Sequence, residues 1–175
     1  MKNAIPTLTL LVLTAGAAAG AAQFAKGGKA ELRDSQGKVV GSAQLKVVNE
    51  GVQVSVQLTG IPAGTHAFHI HSIGKCEAPT FESAGPHFNP EGKKHGLMNP
   101  DGPHAGDLPN ISVEADGKGS TEVVNTHFTL GAGTNSVFHP GGSAMVIHEK
   151  ADDGKTDPAG GAGSRIACGV IEKAP

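Results

Sequence analysis

The sequence predicts an all-β fold: an antiparallel Greek-key sandwich or flattened barrel of about eight short strands, with two long loops. Three features carry that expectation. Val52 to Leu58 alternates apolar and polar residues without a break, the mark of a strand with one face in a core. The 26 glycines and 11 prolines set frequent turns between short runs of this kind. No segment has the 3.6-residue apolar period of a helix. Short strands, many turns and no helices close as a sandwich or barrel.

The chain opens with Met1-Lys2-Asn3, a mostly apolar run from Ile5 to Ala15, and small residues from Ala17 to Ala22. This layout predicts a secretory signal peptide over residues 1–22, cut near Ala19 or Ala22. The apolar run is too short to span a bilayer, so no membrane attachment is expected after cleavage. Residues 23–175 then form one domain with one core, in the periplasm or outside the cell. Disulfides persist there, and the two cysteines, Cys76 and Cys168, make one bridge possible. Without Lys2, 13 basic residues face 16 acidic ones, a net charge of −3. That balance offers no footprint for nucleic acid or an anionic membrane.

Further elements follow in order. Lys29–Asp34 and Val39–Glu50 are short alternating segments around a Gln36-Gly37 turn. Asn49-Glu50-Gly51 turns into the Val52–Leu58 strand, and Gly60–Gly64 ends it. His66–His71 reads as the next strand. Ile111–Ala115 and Ser120–Val124 flank an Asp116–Gly119 turn. Ala144–His148 is a short buried strand, Glu149–Gly163 a second Gly-rich loop, and Arg165–Glu172 the last strand.

The stretch Gly64–Asp107 holds six of the nine histidines. From Gly74 to Asn110, 37 residues contain six Gly and six Pro, a density that neither a helix nor a central strand survives. A loop of this length needs an outside constraint to be ordered. His69 and His71 share one face of a strand, about 6.6 Å apart along it, while Phe68 and Ile70 point to the core. His66 has the parity of Phe68 and faces inward. His87, His95, His104 and Asp107 make a four-ligand set that suits tetrahedral zinc and leaves no open position for a hydrolytic water. His148 ends an apolar strand. If that strand lies beside His66–His71, then His69, His71, His148 and one loop histidine form an all-imidazole site suited to copper.

The segments GTHAFHIH (64–71), AGPHFNP (84–90), HAGDLPN (104–110), VIHEKADD (146–153) and GSRIACGVI (163–171) resemble the signature segments of the copper/zinc superoxide dismutases, in that family's order. The resemblance implies disproportionation of superoxide to oxygen and hydrogen peroxide. It implies copper on His69, His71, His87 and His148, and zinc on His87, His95, His104 and Asp107, with His87 bridging as ligand and acid. It also implies a Cys76–Cys168 disulfide, Arg165 as the anion-binding guanidinium, and Asp152 as a carboxylate bonded to one ligand of each metal.

Some positions depart from the pattern or fall outside it. Ala67 stands where many family members have Gly. The loop from Asp153 to Arg165 is short, so attraction of the anion falls to Arg165, the metals, and lysines such as Lys93, Lys94, Lys150 and Lys155. His127 and His139 match no ligand position and read as surface residues. Thr129–Gly142 has no functional account in the sequence. Asn110-Ile111-Ser112 fits a glycosylation sequon or the start of a strand. The competing reading is a non-enzymatic copper-delivery protein on the same fold, since fold alone does not decide function. Against it, every copper position and Arg165 are filled, and no Cys-x-Cys or Cys-x-x-Cys is present. Sheet edges and exposed valines could serve a homodimer, but the sequence marks no patch for one.

Overall fold

A computed structural model describes residues 27–174. The expected signal segment lies outside them. Among the described residues, ten antiparallel strands form one sheet that curls into a nearly closed barrel. They are β1 (Gly27–Asp34), β2 (Val39–Val48), β3 (Gly51–Thr59), β4 (Gly64–His66), β5 (Phe68–His71), β6 (Ile111–Val113), β7 (Lys118–Asn125), β8 (Ala144–His148), β9 (Arg165–Val170) and β10 (Glu172–Ala174). The order across the sheet is β4-β6-β7-β3-β2-β1-β9-β8-β5, with β10 on β1. Among the described residues no helix is long and apolar enough to cross a membrane.

The alternation in β3 does what its period requires. Val52, Val54, Val56 and Leu58 are buried, while the residues between them face outward. Burying one such side chain contributes about 1.5–3 kcal/mol. The Asn49-Glu50 turn fixes the register of β2 on β3, from Gly41 opposite Leu58 to Val48 opposite Gly51. Phe68, Ile70, Met145 and Ile147 join the same core from β5 and β8.

The segment expected as one strand, His66–His71, is two. It breaks at Ala67, whose N–H donates to Lys150 O (2.8 Å) and whose carbonyl accepts from His148 N (2.9 Å). Before the break β4 pairs with β6, and after it β5 pairs with β8. The chain changes partner there because this is where the two ends of the sheet meet, and local periodicity carries no trace of it. The expected last strand also divides, at Ile171, into β9 and β10.

Thr129–Gly142 gains a packing account. Leu130 and Val137 are buried in the main core beside Phe128, and Phe138 packs against it. His139 is a correction: it is half-buried and stacked on Phe88 with ring centroids 5.3 Å apart. His127 is exposed as expected.

Candidate metal centre

The long loop folds back along β5 and so carries its histidines to those of the barrel. Ile70 N donates to Gly106 O (2.9 Å), Phe88 N to Ile70 O (2.8 Å), and Gly106 N to Phe88 O (2.8 Å). A Cβ at Gly106 would stand 2.2 Å from Ile70 O, so only glycine allows this approach. From β7, buried Asn125 donates to Ala105 O and Asp107 O (3.2 Å each) and pins the turn that holds His104 and Asp107. The Cys76–Cys168 disulfide ties the start of the loop to β9.

Two ligand sets result. His69, His71, His87 and His148 form one, and His87, His95, His104 and Asp107 the other, all buried. Within each set the candidate ligand atoms lie within 4.8 Å of one another. The outward ring nitrogens are spoken for. His71 Nδ1 is bonded to Gly85 O (2.8 Å), His148 Nδ1 to Gly163 O (3.3 Å), and His69 Nε2 to Asp152 Oδ2 (2.7 Å). That leaves His69 Nδ1 and the Nε2 atoms of His71 and His148 facing one point. His87 Nδ1 lies 2.9 Å from Asp107 Oδ1, and His95 Nδ1 lies 3.1 Å from the same oxygen.

The chemistry of these atoms fits metal ions. His69 Nδ1 and His87 Nε2 are buried with no hydrogen-bond partner in the protein. Buried polar atoms are rarely left so, because an unmet bond costs about 1–3 kcal/mol. A four-nitrogen set suits copper and a three-histidine, one-carboxylate set suits zinc.

Asp152 lies between the two sets. Its Oδ2 is 2.7 Å from His69 Nε2 and 3.0 Å from His95 Nε2, while Oδ1 is 3.1 Å from His95 Nε2. Gly160, with φ 62°, covers this bridge so closely that a Cβ would meet Asp152 Oδ1 at 1.9 Å. Asn110 clamps the Asp152 backbone: its Oδ1 accepts from Asp152 N (2.8 Å) and its Nδ2 donates to Asp152 O (2.9 Å). The amide that a sequon would offer is thus engaged in the fold.

Proton affinities follow the same arrangement. Burial pushes His71 down to about 2, helped by the charges of His87 and Arg165. Burial likewise takes His148 to about 3 and His87 to about 4. For His95, burial is outweighed by its bonds to Asp107 and Asp152, which raise it to about 9. Burial alone would raise Asp107 and Asp152, but hydrogen bonds hold both carboxylates well below their usual range. His71, His87 and His148 are therefore neutral at neutral pH and can bind a metal without first losing a proton.

Arg165 is held beside His71. Nη1 donates to Phe81 O and Nη2 to Gly85 O, both at 2.7 Å. Gly85 O also accepts from His71 Nδ1, so guanidinium and ring share one acceptor. Of the candidate steering lysines, Lys94 is paired with Asp157 (3.2 Å). Lys93, Lys150 and Lys155 are exposed, Lys150 and Lys93 on the loops that flank the ligand sets. The sequence reading missed Phe81, Asn125 and Gly160. Nothing local marks them, since each acts across a contact distant in sequence.

A sheet of this topology with two linked histidine sites defines a class of metalloprotein. The chain belongs to the copper/zinc superoxide dismutase family, whose family model matches residues 37–171. It is 54% identical over 144 residues to a protein of Aquifex aeolicus (strain VF5) named superoxide dismutase [Cu-Zn] 2, covering 81% of this chain and 84% of that one. It is 42% identical over 144 residues to the superoxide dismutase-like protein YojM of Bacillus subtilis (strain 168), covering 81% and 74%. The crystal structure of a superoxide dismutase-like protein from Bacillus subtilis superposes with a TM-score of 0.78 at 41% identity, covering 81% of this chain and 96% of that one. The clock protein EA4 superposes at 0.74 with 34% identity, covering 87% and 97%.

Proposed function

We propose that His69, His71, His87 and His148 hold the copper of this superoxide dismutase, that His87, His95, His104 and Asp107 hold its zinc, and that Arg165 draws in the substrate anion. The observation that carries this is His87. Its Nδ1 lies against Asp107 in one ligand set, while its Nε2 is buried without a protein partner in the other.

Copper held by His69, His71, His87 and His148 would supply the redox couple for the overall reaction, in which one superoxide is oxidised to oxygen and a second is reduced and takes two protons to become hydrogen peroxide. The protein's part is geometry and protons. Gly85 O, Gly163 O and Asp152 bind the outward nitrogens of His71, His148 and His69, fixing the tautomer and aiming each lone pair inward. His87 Nε2 is the atom that takes up a proton between the two half-reactions and passes it to the peroxide, while Nδ1 stays anchored in the zinc set. The zinc set has no open position, so its role is to fix the loop and His87. Arg165 keeps its charge, and its pull on an anion weakens as salt rises.

The leading residues 1–22 we read as an export signal, which places the domain 23–175 in the periplasm or outside the cell. Copper delivery is disfavoured because both cysteines are locked in the disulfide, leaving no thiol for metal transfer. His87→Ala tests the assignment. Zinc retention and superoxide turnover are expected to fall together. Loss of turnover with zinc fully retained would sink the bridging role.

A further inference from the structure

Phe81 is the one non-glycine residue, among those described, with a left-handed backbone, φ 56° and ψ 20°. For a bulky aromatic residue this is an outlier. Such conformations persist only where the surroundings over-determine them, and they cluster at functional sites. Here the surroundings are specific. The Phe81 ring is 2% exposed and packs with Ala84, Ala144, Val146 and Cys168, against which Cys76 is set. The ring thus shares one buried apolar cluster with the disulfide and with residues of β8 and β9. Its N–H donates to Glu77 O (3.0 Å). Its carbonyl accepts twice, from Ala84 N (3.1 Å) and from Arg165 Nη1 (2.7 Å).

The other arm of the guanidinium is bonded to Gly85 O, which also orients His71. Gly85 also has a positive φ (73°, with ψ −161°), and a Cβ there would meet Ile73 Cδ1 at 2.8 Å. Both acceptors of Arg165 therefore depend on backbone conformations that ordinary residues avoid. Gly85 adopts its own freely. Phe81 does not, and it is held there by the burial of its ring. A return to negative φ would rotate the Phe81 carbonyl away from Arg165.

We propose that Phe81 is a positioning residue for Arg165: its buried ring holds the strained backbone whose carbonyl fixes the guanidinium, and so sets the affinity of the site for small anions without touching them. The functional half rests on the reading of Arg165 as the anion-binding group. The positional half does not.

Phe81→Val and Phe81→Gly separate this from plain packing. Both lose the ring. Glycine takes the left-handed conformation at no steric cost, whereas a β-branched residue resists it strongly. Two readouts are needed. In the metal-free protein, exchange of the Arg165 guanidinium N–H protons with water, followed by NMR, reports how firmly the group is held. In the copper- and zinc-loaded protein, with metal content matched, optical titration with azide reports anion affinity. In the valine variant, exchange is expected to speed up, and azide affinity to fall, by about tenfold, the effect of losing one charge-assisted hydrogen bond. The glycine variant is expected to stay within about threefold of the parent in both. A packing role alone predicts the reverse order, because valine keeps more apolar contact than glycine. That reverse order, or two variants indistinguishable from the parent, would overturn the proposal.

Phe81→Ala leaves nearly the cavity of the glycine variant but keeps the left-handed penalty. It must fall on the valine side, and it decides the matter if the valine variant does not fold. Arg165→Ala separates the two halves. If azide affinity is unchanged in it, the reading of Arg165 and the anion-affinity half of the proposal are wrong, and guanidinium exchange alone decides the positional half.

Discussion

Asp152→Ala removes one carboxylate that serves two rings. The side chain is 7% exposed and receives His69 Nε2 at 2.7 Å and His95 Nε2 at 3.0 Å. A hydrogen bond to a charged group contributes about 1.5–3 kcal/mol, so each metal set loses one bond of that size. At about 1.4 kcal/mol per tenfold, zinc and copper affinity should each fall about 10–100-fold. One effect opposes this for zinc. Asp152 helps to raise His95 to about 9 in the metal-free protein, so its removal also leaves less of a proton for zinc to displace. Measuring above that value, where His95 is neutral in both proteins, removes the offset. The assay is competition for zinc against a chromophoric chelator, with thermal unfolding of the metal-free variant as the control for folding. Zinc affinity within about twofold of the parent above the His95 value would refute the claim that Asp152 aims these rings.

Two further outcomes follow from the same geometry. Cys168→Ser opens a link between residues 92 apart in sequence. It should destabilise the domain by about 2–5 kcal/mol, read as a lower denaturant midpoint, and an unchanged midpoint would contradict the role given to the bridge. In the metal-free protein, burial holds His87, His148 and His71 at about 4, 3 and 2, below the ordinary 6.5. The unfolded chain then binds protons first, so the stability from these rings is whole above 6.5 and is lost as the pH falls towards those values. His95, raised to about 9, contributes fully below 6.5 and loses its contribution as the pH rises through 9. The thermal midpoint of the metal-free protein should therefore be highest near pH 6.5, falling towards pH 4 through the three buried rings and between pH 6.5 and 9 through His95. A flat profile across the acid range would contradict the burial argument.

The parts of the site legible in sequence are those set by local period or by residue type. Strand parity alone places His69 and His71 on one face, with Phe68 and Ile70 in the core, because side chains alternate whatever the partner strand. The breaker density of the long loop, together with its histidines, calls for metal, and the structure gathers those histidines into two buried sets. The resemblance named the Cys76–Cys168 pairing, and the bond is present. What stayed hidden is nonlocal. The break at Ala67 exists because the barrel's two sheet ends meet there, and no window of sequence contains both. Leu130 and Val137 belong to the core although Thr129–Gly142 has no period, since a loop can bury single side chains without one. The carbonyls of Phe81 and Gly85 were invisible for a simpler reason: backbone acceptors carry no residue signature.

The central claim is that this arrangement of histidines is a working redox site and not only a metal store. The most direct measurement is the decay of superoxide with purified mature protein loaded with copper and zinc, beside the same protein loaded with zinc alone. The account predicts fast decay in the first sample and only the uncatalysed rate in the second. Equally slow decay in both, with copper bound tightly and in full, would contradict it and favour a metal carrier on a dismutase fold.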